Sequence, residues 1–139
     1  MKDLFMLFLL CSSNYCFAEL HDYPILRVID GDTVVFQATF LPKELKPELS
    51  LRVYGVDTPE KGARAKCKEE ADKGEEATAF TKLAIENSTK REIELRQWDK
   101  FGGRVLGDLY LDGNSLRSML IEAKLAREYY GEKKESWCN

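Results

Sequence analysis

The sequence predicts a mainly β domain with two helices, in which five short strands surround one core as a small closed barrel. Two observations support this fold class. Short stretches that alternate in polarity or are rich in β-branched residues recur along the chain, with aspartate–glycine pairs between some of them. Only two stretches carry helical spacing instead. The length of 139 residues, with no internal repeat, suits a single domain.

The amino-terminal stretch is typical of a secretory signal peptide. Lys2 supplies a charged start, residues 4–10 form an apolar run, and Ala18 offers a small residue for cleavage. The run is too short to span a bilayer. We therefore expect removal of residues 1–18, a mature domain at 19–139, and a secreted or periplasmic protein without stable membrane association. Acylation at Cys11 is the alternative.

Cleavage of this signal would leave two cysteines, Cys67 and Cys138. In an exported chain, a small and even number of cysteines favours a disulfide. The bridge would tie the loop after Glu60 to the carboxyl end of the chain. Two free thiols, or a metal-binding pair, are the alternatives.

Charge and histidine content narrow the chemistry. The net charge is −3 at pH 7, so overall charge does not equip the chain to coat nucleic acid. Such binding would need a local basic edge, for which the candidates are Lys61, Arg64, Lys66, Lys68 and Lys100. The one histidine, His21, lies near the expected new amino terminus, which excludes histidine acid–base pairs, Ser-His triads and histidine metal sites.

The first half of the domain carries three strand patterns. Residues 23–29 and 33–40 are joined by the Asp30-Gly31 pair, a strong hairpin signal. A polar loop with two prolines follows. Residues 51–56 form the third strand, and Pro59 holds the preceding residue extended.

The second half carries helix, two strands and helix. The first helix is predicted from residue 72 to about residue 87, with Ala77, Phe80, Leu83 and Ala84 as its buried stripe. Strands follow at 91–98 and 104–111, and Asp112-Gly113 closes the second of them. Asn114 or Ser115 caps a second helix that runs through Ala123.

Acids and arginines stand near the ends of these strands. The segment Asp30-Gly31-Asp32-Thr33 is explained by a hairpin alone, but Glu60 is not explained by the turn in Asp57-Thr58-Pro59-Glu60. Arg52 lies within an otherwise apolar strand and must find anions, either for structure or for function. Alternation puts Arg52 and Asp57 on opposite faces, so we expect a bend or bulge at Gly55. Carboxylate oxygens suit a hard cation, and arginine forks suit a phosphate.

The ordered set of motifs resembles the staphylococcal (thermonuclease, micrococcal) nuclease family over residues 25–130. The matching stretches are Asp30-Gly31-Asp32-Thr33, Leu51-Arg52, Val56-Asp57-Thr58-Pro59-Glu60, the segment 74–82, Asp99-Lys100-Phe101-Gly102-Gly103-Arg104 and Leu125-Ala126. The resemblance implies a five-stranded OB-fold barrel. It also implies calcium-dependent cleavage of DNA and RNA that leaves 3′-phosphate ends. We further expect a preference for single strands, a monomer and no obligate protein partner.

The resemblance also assigns roles to residues of this chain. Asp32 and Asp57, with the Thr58 carbonyl, would hold one Ca²⁺. Arg52 and Arg104 would grip the phosphate, and Glu60 would activate or position the attacking water. Substrate contacts are implied for Lys100, Phe101 and Tyr129.

Three residues depart from the family pattern. Gly102-Gly103 is one residue longer than the usual single glycine, which affects the reach of Arg104; Phe101 lacks a phenol oxygen; and Lys124 replaces a glycine where a left-handed residue is preferred. Two rival functions stay open: a non-catalytic OB-fold module that binds single-stranded nucleic acid, and a structural domain stabilised by calcium.

Overall fold

The computed structural model describes residues 18–139. Apart from Ala18, the predicted signal peptide lies outside the described residues, and its cleavage stays a prediction. Within 18–139, none of the helices has the length and apolar character needed to cross a membrane.

The described chain is mainly β with two α-helices, as predicted. In chain order its elements are β1 (Leu20–His21), β2 (Ile25–Asp30), β3 (Thr33–Gln37), β4 (Glu48–Val53), β5 (Val56–Asp57), α1 (Lys68–Glu86), β6 (Arg91–Trp98), β7 (Arg104–Leu111), β8 (Asn114–Ser115), α2 (Leu116–Glu122) and β9 (Arg127–Glu128). The five expected strands are present, but the predicted strand count is wrong, because two-residue strands add to them. One of these, β5, arises where the predicted strand 51–56 breaks at a turn.

The strands form one main sheet in the order β1-β6-β7-β4-β3-β2, with β8 beside β7, and β5 pairs separately with β9. β4 and β7 run parallel, whereas the other pairs in residues 18–139 are antiparallel. This arrangement is consistent with an OB-like fold. The hydrogen-bonded order is an open path, so closure of the barrel stays a prediction.

Strand β4 shows how the sheet separates core from site. Leu49, Leu51 and Val53 point inward and are buried, whereas Ser50 and Arg52 alternate onto the outer face. The core that they join consists of Val34, Phe36, Ala38, Val56, Ala77, Ile85, Ile93, Val105, Leu109, Leu111, Leu116, Leu120, Leu125 and Ala126. The alternation leaves Arg52 outside this apolar core.

Helix α1 begins at Lys68, four residues before the predicted start, because the Cys67 sulfur accepts a hydrogen bond from the amide of Glu70 and caps the helix. Its predicted buried stripe is wrong at Leu83, whose residue surface is 55% exposed. The buried face instead consists of Glu70, Gly74, Ala77, Thr78, Thr81 and Ile85. Small and hydroxyl side chains on this face allow close approach to the loops around the candidate site.

Helix α2 confirms the predicted cap, because the Ser115 hydroxyl accepts a hydrogen bond from the amide of Ser118. The helix ends before Ala123, and Lys124 then adopts the left-handed conformation with φ of 59°. The chain thus turns at the position expected for glycine, and Leu125 and Ala126 enter the core. β9 follows and brings the carboxyl-terminal segment alongside β5.

Candidate active site

Asp32 and Arg52 form a buried ion pair at the ends of β3 and β4. The β3–β4 register sets Thr33 opposite Arg52, and Arg52 Nη1 lies 2.8 Å from Asp32 Oδ2. Asp32 also accepts hydrogen bonds from the Thr33 hydroxyl (3.0 Å) and the Thr58 amide (3.4 Å). Arg52 Nη2 donates to the Val56 carbonyl at 3.2 Å. The predicted Asp32, Arg52 and Thr58 are therefore brought together.

The expected bend is present at Gly55, between Arg52 and Asp57. Gly55 has a φ of 78°, and a Cβ there would lie 2.8 Å from Arg117 Nε, so this turn requires glycine. It separates β4 from β5 and removes the alternation that would have set Arg52 and Asp57 apart. β5 then pairs with β9, with Asp57 opposite Arg127.

Both oxygens of the Asp57 carboxylate are contacted by the carboxyl-terminal segment. Lys134 Nζ lies 2.8 Å from Asp57 Oδ1. The Trp137 indole Nε1 donates to Asp57 Oδ2 at 3.3 Å. Sequence reasoning missed both residues. The predicted bridge at Cys138 was the available signal, because it places the neighbouring Trp137 beside the loop after Glu60.

Asp30 is a further carboxylate at this site. Its Oδ2 accepts from Arg64 Nη2 at 3.3 Å, whereas its Oδ1 is buried and has no hydrogen-bond partner among the described residues. The sequence did not single out Asp30 as a site residue, because an aspartate before glycine is already explained by the hairpin turn.

The pKa of Asp32 is raised from 3.8 to about 7. The largest cause is burial, which withdraws the carboxylate from water. Arg52 opposes the rise as a neighbouring positive charge, and Asp30 adds to it as a neighbouring negative one. The site therefore concentrates negative charge in a desolvated place.

Glu60 lies at the edge of a cleft of about 260 Å³ that Asp57, Thr58 and Trp137 also line. Its side chain is 37% exposed, and Arg64 Nε lies 3.3 Å from Glu60 Oε2. The buried Glu70 carboxylate accepts from the Glu60 amide at 3.3 Å and from the Lys66 amide at 2.7 Å.

Helix α1 packs against the backbone of the loop that carries Glu60. A Cβ added to Gly74 would lie 2.4 Å from the Glu60 carbonyl oxygen. The loop thus packs directly on the helix backbone while the Glu60 side chain faces the cleft.

Arg104 shares a face of the sheet with Arg52. In the parallel β4–β7 pair, Ser50 lies opposite Arg104 and Arg52 opposite Leu106, so both arginines point to the outer face. The Arg104 guanidinium forms an ion pair with Asp99 and stacks 4.5 Å from the Phe101 ring centroid. The extra Gly103 is accommodated in the turn, with a φ of 74° and open space where a Cβ would stand.

The three predicted substrate contacts fall in two places. Lys100 and the half-exposed Phe101 lie in the turn before Arg104, with Lys100 Nζ 5.3 Å from the Phe101 ring. Tyr129 lies after β9, where its amide donates to the Gly55 carbonyl. Lys134 Nζ lies 5.3 Å from the Tyr129 ring, so Tyr129 borders the Asp57 side of the site.

The predicted disulfide is present between Cys67 and Cys138, with Cα atoms 6.0 Å apart. Within residues 18–139, the one group of three cysteine, histidine or carboxylate ligand atoms within 4.8 Å of one another is Cys67, Glu70 and Cys138. Because its sulfurs are joined to each other, this group offers no thiolate for a metal. The alternative of a cysteine metal pair is therefore not supported.

The oxygen atoms around Asp32 fit a hard divalent cation better. Asp32 and Asp57 supply buried carboxylates, and the buried Thr58, which follows Asp57 and donates its amide to Asp32, supplies a carbonyl. Within residues 18–139 the buried Oδ1 of Asp30 has no hydrogen-bond partner, which is costly for a carboxylate oxygen unless a cation satisfies it. An all-oxygen set of this kind suits Ca²⁺, and also Mg²⁺ or Mn²⁺.

Comparisons with known proteins agree with this geometry. The chain is 35% identical to the thermonuclease of Staphylococcus hyicus over 112 residues, which cover 79% of this chain and 60% of that protein. It is 32% identical to the SPbeta prophage-derived endonuclease YokF of Bacillus subtilis (strain 168) over 114 residues, or 81% of this chain and 36% of that protein. The matched region thus spans less than two thirds of either relative. The family model described as staphylococcal nuclease homologue matches residues 50–137, and the chain therefore belongs to the staphylococcal nuclease family.

Proposed function

We propose that this protein is a calcium-dependent nuclease that hydrolyses phosphodiester bonds of DNA and RNA and leaves 3′-phosphate ends. The observation that carries the proposal is the placement of Arg52 and Arg104 on one face of β4 and β7, with Arg52 paired to the buried Asp32 carboxylate. Family membership and the endonuclease relatives support the same reaction class.

The two arginines suit the phosphate group. In-line displacement at phosphorus builds negative charge on the equatorial oxygens, and fixed cationic donors stabilise that charge. Arg52 is held by Asp32 and the Val56 carbonyl, and Arg104 by Asp99 and the Phe101 ring. Both guanidinium groups are therefore oriented before the substrate binds.

Asp32, Asp57 and the Thr58 carbonyl would hold one Ca²⁺, which when bound supplies Lewis-acid polarisation of a phosphoryl oxygen. Glu60 would activate or position the attacking water, because it is the partly exposed carboxylate at the rim of the cleft. Its partner Arg64 would have to release it, or share it, during that step.

Substrate binding would use residues on both sides of the arginines. Lys100 would pair with a phosphate of the chain, and the Phe101 and Tyr129 rings would stack on bases. Stacking needs bases that are free of a duplex, so single strands would be preferred. Export to the periplasm or the medium is supported by the disulfide, which persists in oxidising compartments. We also propose that the protein acts as a monomer.

The test is cleavage of heat-denatured DNA and of RNA by residues 19–139, with CaCl₂ and with EGTA. We expect products that end in 3′-phosphate with calcium and no cleavage with EGTA. Arg52→Ala and Arg104→Ala should each lower kcat by about 10²–10³-fold, which is what loss of one fixed donor to a developing charge costs. Glu60→Ala should also lower kcat.

Matched controls separate this result from general damage. Arg27 and Glu48 form an exposed ion pair (2.9 Å) between β2 and β4. The variants Arg27→Ala and Glu48→Ala each break this pair, and both variants should retain full activity. Arg52→Ala also leaves Asp32 buried without its partner, so its melting temperature must be measured beside its activity. Arg104→Lys, which keeps the charge and loses the fork, avoids that difficulty. Full activity in the Arg104 and Glu60 variants would refute the mechanism.

The rival function gives a different outcome in the same experiment. A non-catalytic OB-fold module would retain single-stranded DNA with any divalent ion and cleave none of it. The extra Gly103 favours this alternative only if it withdraws Arg104 from the phosphate. Binding without cleavage would therefore replace the nuclease proposal with the binding module.

A further inference from the structure

The carboxyl-terminal segment reaches the candidate metal ligand Asp57 with two different donors. The Trp137 indole N–H donates to one carboxylate oxygen, at 3.3 Å, and the Lys134 ammonium lies 2.8 Å from the other. The first donor is neutral and the second is charged. They therefore act differently on a cation that binds through Asp57.

Two contacts with the ring and two with the neighbouring residues fix the position of Trp137. The guanidinium carbon of Arg127 lies 3.7 Å from the ring centroid, and Lys73 Nζ lies 5.6 Å from it on α1. Arg127 Nη1 also donates to the Ser136 carbonyl at 2.9 Å. The neighbouring Cys138 is joined to Cys67 at the start of α1.

The ring face and the indole N–H of Trp137 make separate contacts, which require different properties of the side chain. Any aromatic side chain would satisfy Arg127 and Lys73, because their contacts are with the ring face. Phenylalanine would pack in the same way without a donor, whereas tryptophan also presents an indole N–H to the carboxylate. The N–H is thus the feature that packing alone does not explain.

We propose that Trp137 is a positioning residue for the Asp57 carboxylate, and that the Cys67–Cys138 bridge holds Trp137 in place. The proposal rests on the proposed function, in which Asp57 binds a divalent cation. The indole donor on Oδ2 fixes the rotation of the carboxylate, so Oδ1 would be the oxygen that binds the cation, in competition with the Lys134 ammonium that contacts it. Loss of such an outer partner typically weakens metal binding by roughly 10–100-fold.

The decisive variant is Trp137→Phe, which keeps the ring and removes the donor. Calcium affinity is measured by titration calorimetry on residues 19–139 without nucleic acid, and melting temperature is measured in EGTA. We expect the Kd for Ca²⁺ to rise by about 10–100-fold while the melting temperature changes little. The matched control is Trp98→Phe, at an exposed position on β6, which should leave both quantities unchanged.

Lys134 separates positioning from simple obstruction. Lys134→Gln removes the positive charge beside Asp57, so Ca²⁺ affinity should rise or stay equal, opposite to Trp137→Phe. If both variants tightened binding, the segment would only obstruct Asp57, and the positioning role of Trp137 would be refuted.

A double-mutant cycle tests the role of the bridge. Cys138→Ser should weaken Ca²⁺ binding, and the double variant Trp137→Phe/Cys138→Ser should be no weaker than the weaker single variant, because both changes remove the same hydrogen bond. Fully additive effects would refute the link between bridge and indole.

The outcomes also separate this proposal from the proposed function. If Trp137→Phe binds Ca²⁺ as tightly as the unaltered protein, this inference is wrong and the calcium-dependent nuclease stands. If the unaltered protein binds no divalent ion, the calcium dependence and this inference both fail.

Discussion

Asp32 illustrates the cost of burying a carboxylate. Arg52 compensates part of its charge, yet burial and the nearby Asp30 still raise its pKa to about 7. Below that pH the folded protein binds a proton that the unfolded chain, with a pKa of 3.8, releases above pH 4. Between those values the folded state is favoured by proton uptake, and this contribution is lost as pH rises.

We therefore expect the stability of the ion-free protein to depend on Asp32 between about pH 4 and pH 7. In EGTA, Asp32→Asn should be increasingly more stable than the unaltered protein as pH rises through this window, by up to on the order of 4 kcal/mol. Urea unfolding at several pH values measures the difference. Asp22→Asn, at an exposed aspartate, is the control. Parallel profiles for the unaltered protein and Asp32→Asn would contradict the expectation.

Single residues of the candidate site were recognisable from the sequence where the residue type was unusual for its place. Arg52 stood out in an apolar strand, and Glu60 stood out after a turn that did not need it. Asp30 and Trp137 were not predictable in this way, because an aspartate before glycine and a tryptophan near the end of a chain have ordinary structural explanations. Their roles depend on contacts between residues that are distant in sequence.

At the scale of elements, helix α1 acts as the support of the site. Its Thr81 hydroxyl donates to the Gly31 carbonyl at 2.7 Å, and Ala77 packs against Gly31 in the β2–β3 turn. One turn earlier, Gly74 lies beneath Glu60, and the Glu70 carboxylate binds the Glu60 amide. One helix face therefore fixes both acidic loops.

Gly74 gives a test of this support. In an exposed helix position, glycine to alanine stabilises by about 1 kcal/mol. Gly74→Ala should instead destabilise by roughly 1–3 kcal/mol and lower cleavage, because the added methyl overlaps the Glu60 carbonyl and moves that loop. Thermal unfolding and kcat on denatured DNA measure the two effects. Glu76→Ala, an exposed position on the same helix, should change neither by much. A more stable and fully active Gly74→Ala variant would show that the helix does not set the loop.

The elements were predictable to different degrees, for physical reasons. β6 has the predicted bounds because its residues alternate in polarity, and β7 has them because Asp112 and Gly113 form the turn that ends it. The buried stripe of α1 was misplaced, because the helix packs glycine and threonine against loop backbone and leaves Leu83 exposed. The spacing of apolar residues does not reveal a buried face that is made of glycine and threonine.

At the scale of the whole molecule, the Cys67–Cys138 bridge closes a long loop. The two cysteines are separated by 71 residues, and the segment between them includes α1, β6, β7 and α2. Constraining the unfolded chain over a loop of this length contributes about 4 kcal/mol by chain entropy. That is a large share of the roughly 5–15 kcal/mol typical of a domain.

Reduction should therefore lower the melting temperature by roughly 10–20 °C. The measurement is thermal unfolding with and without a phosphine reductant. The variant Cys67→Ser/Cys138→Ser should melt near the reduced protein and show no response to reductant. An unchanged melting temperature on reduction would mean that the native contacts of the segment suffice without the bridge.

The contact between Trp137 and Asp57 also has a consequence for the order of synthesis. Eighty residues separate the two positions in the chain. At the roughly 5–20 residues per second at which ribosomes extend a chain, Asp57 exists for about 4–16 s before its indole partner has been translated. The bridge must wait longer still, since an oxidant has to join Cys67 to Cys138. Arg52, Asp57 and Arg104 are therefore all translated before the residue that completes the contacts of the Asp57 carboxylate.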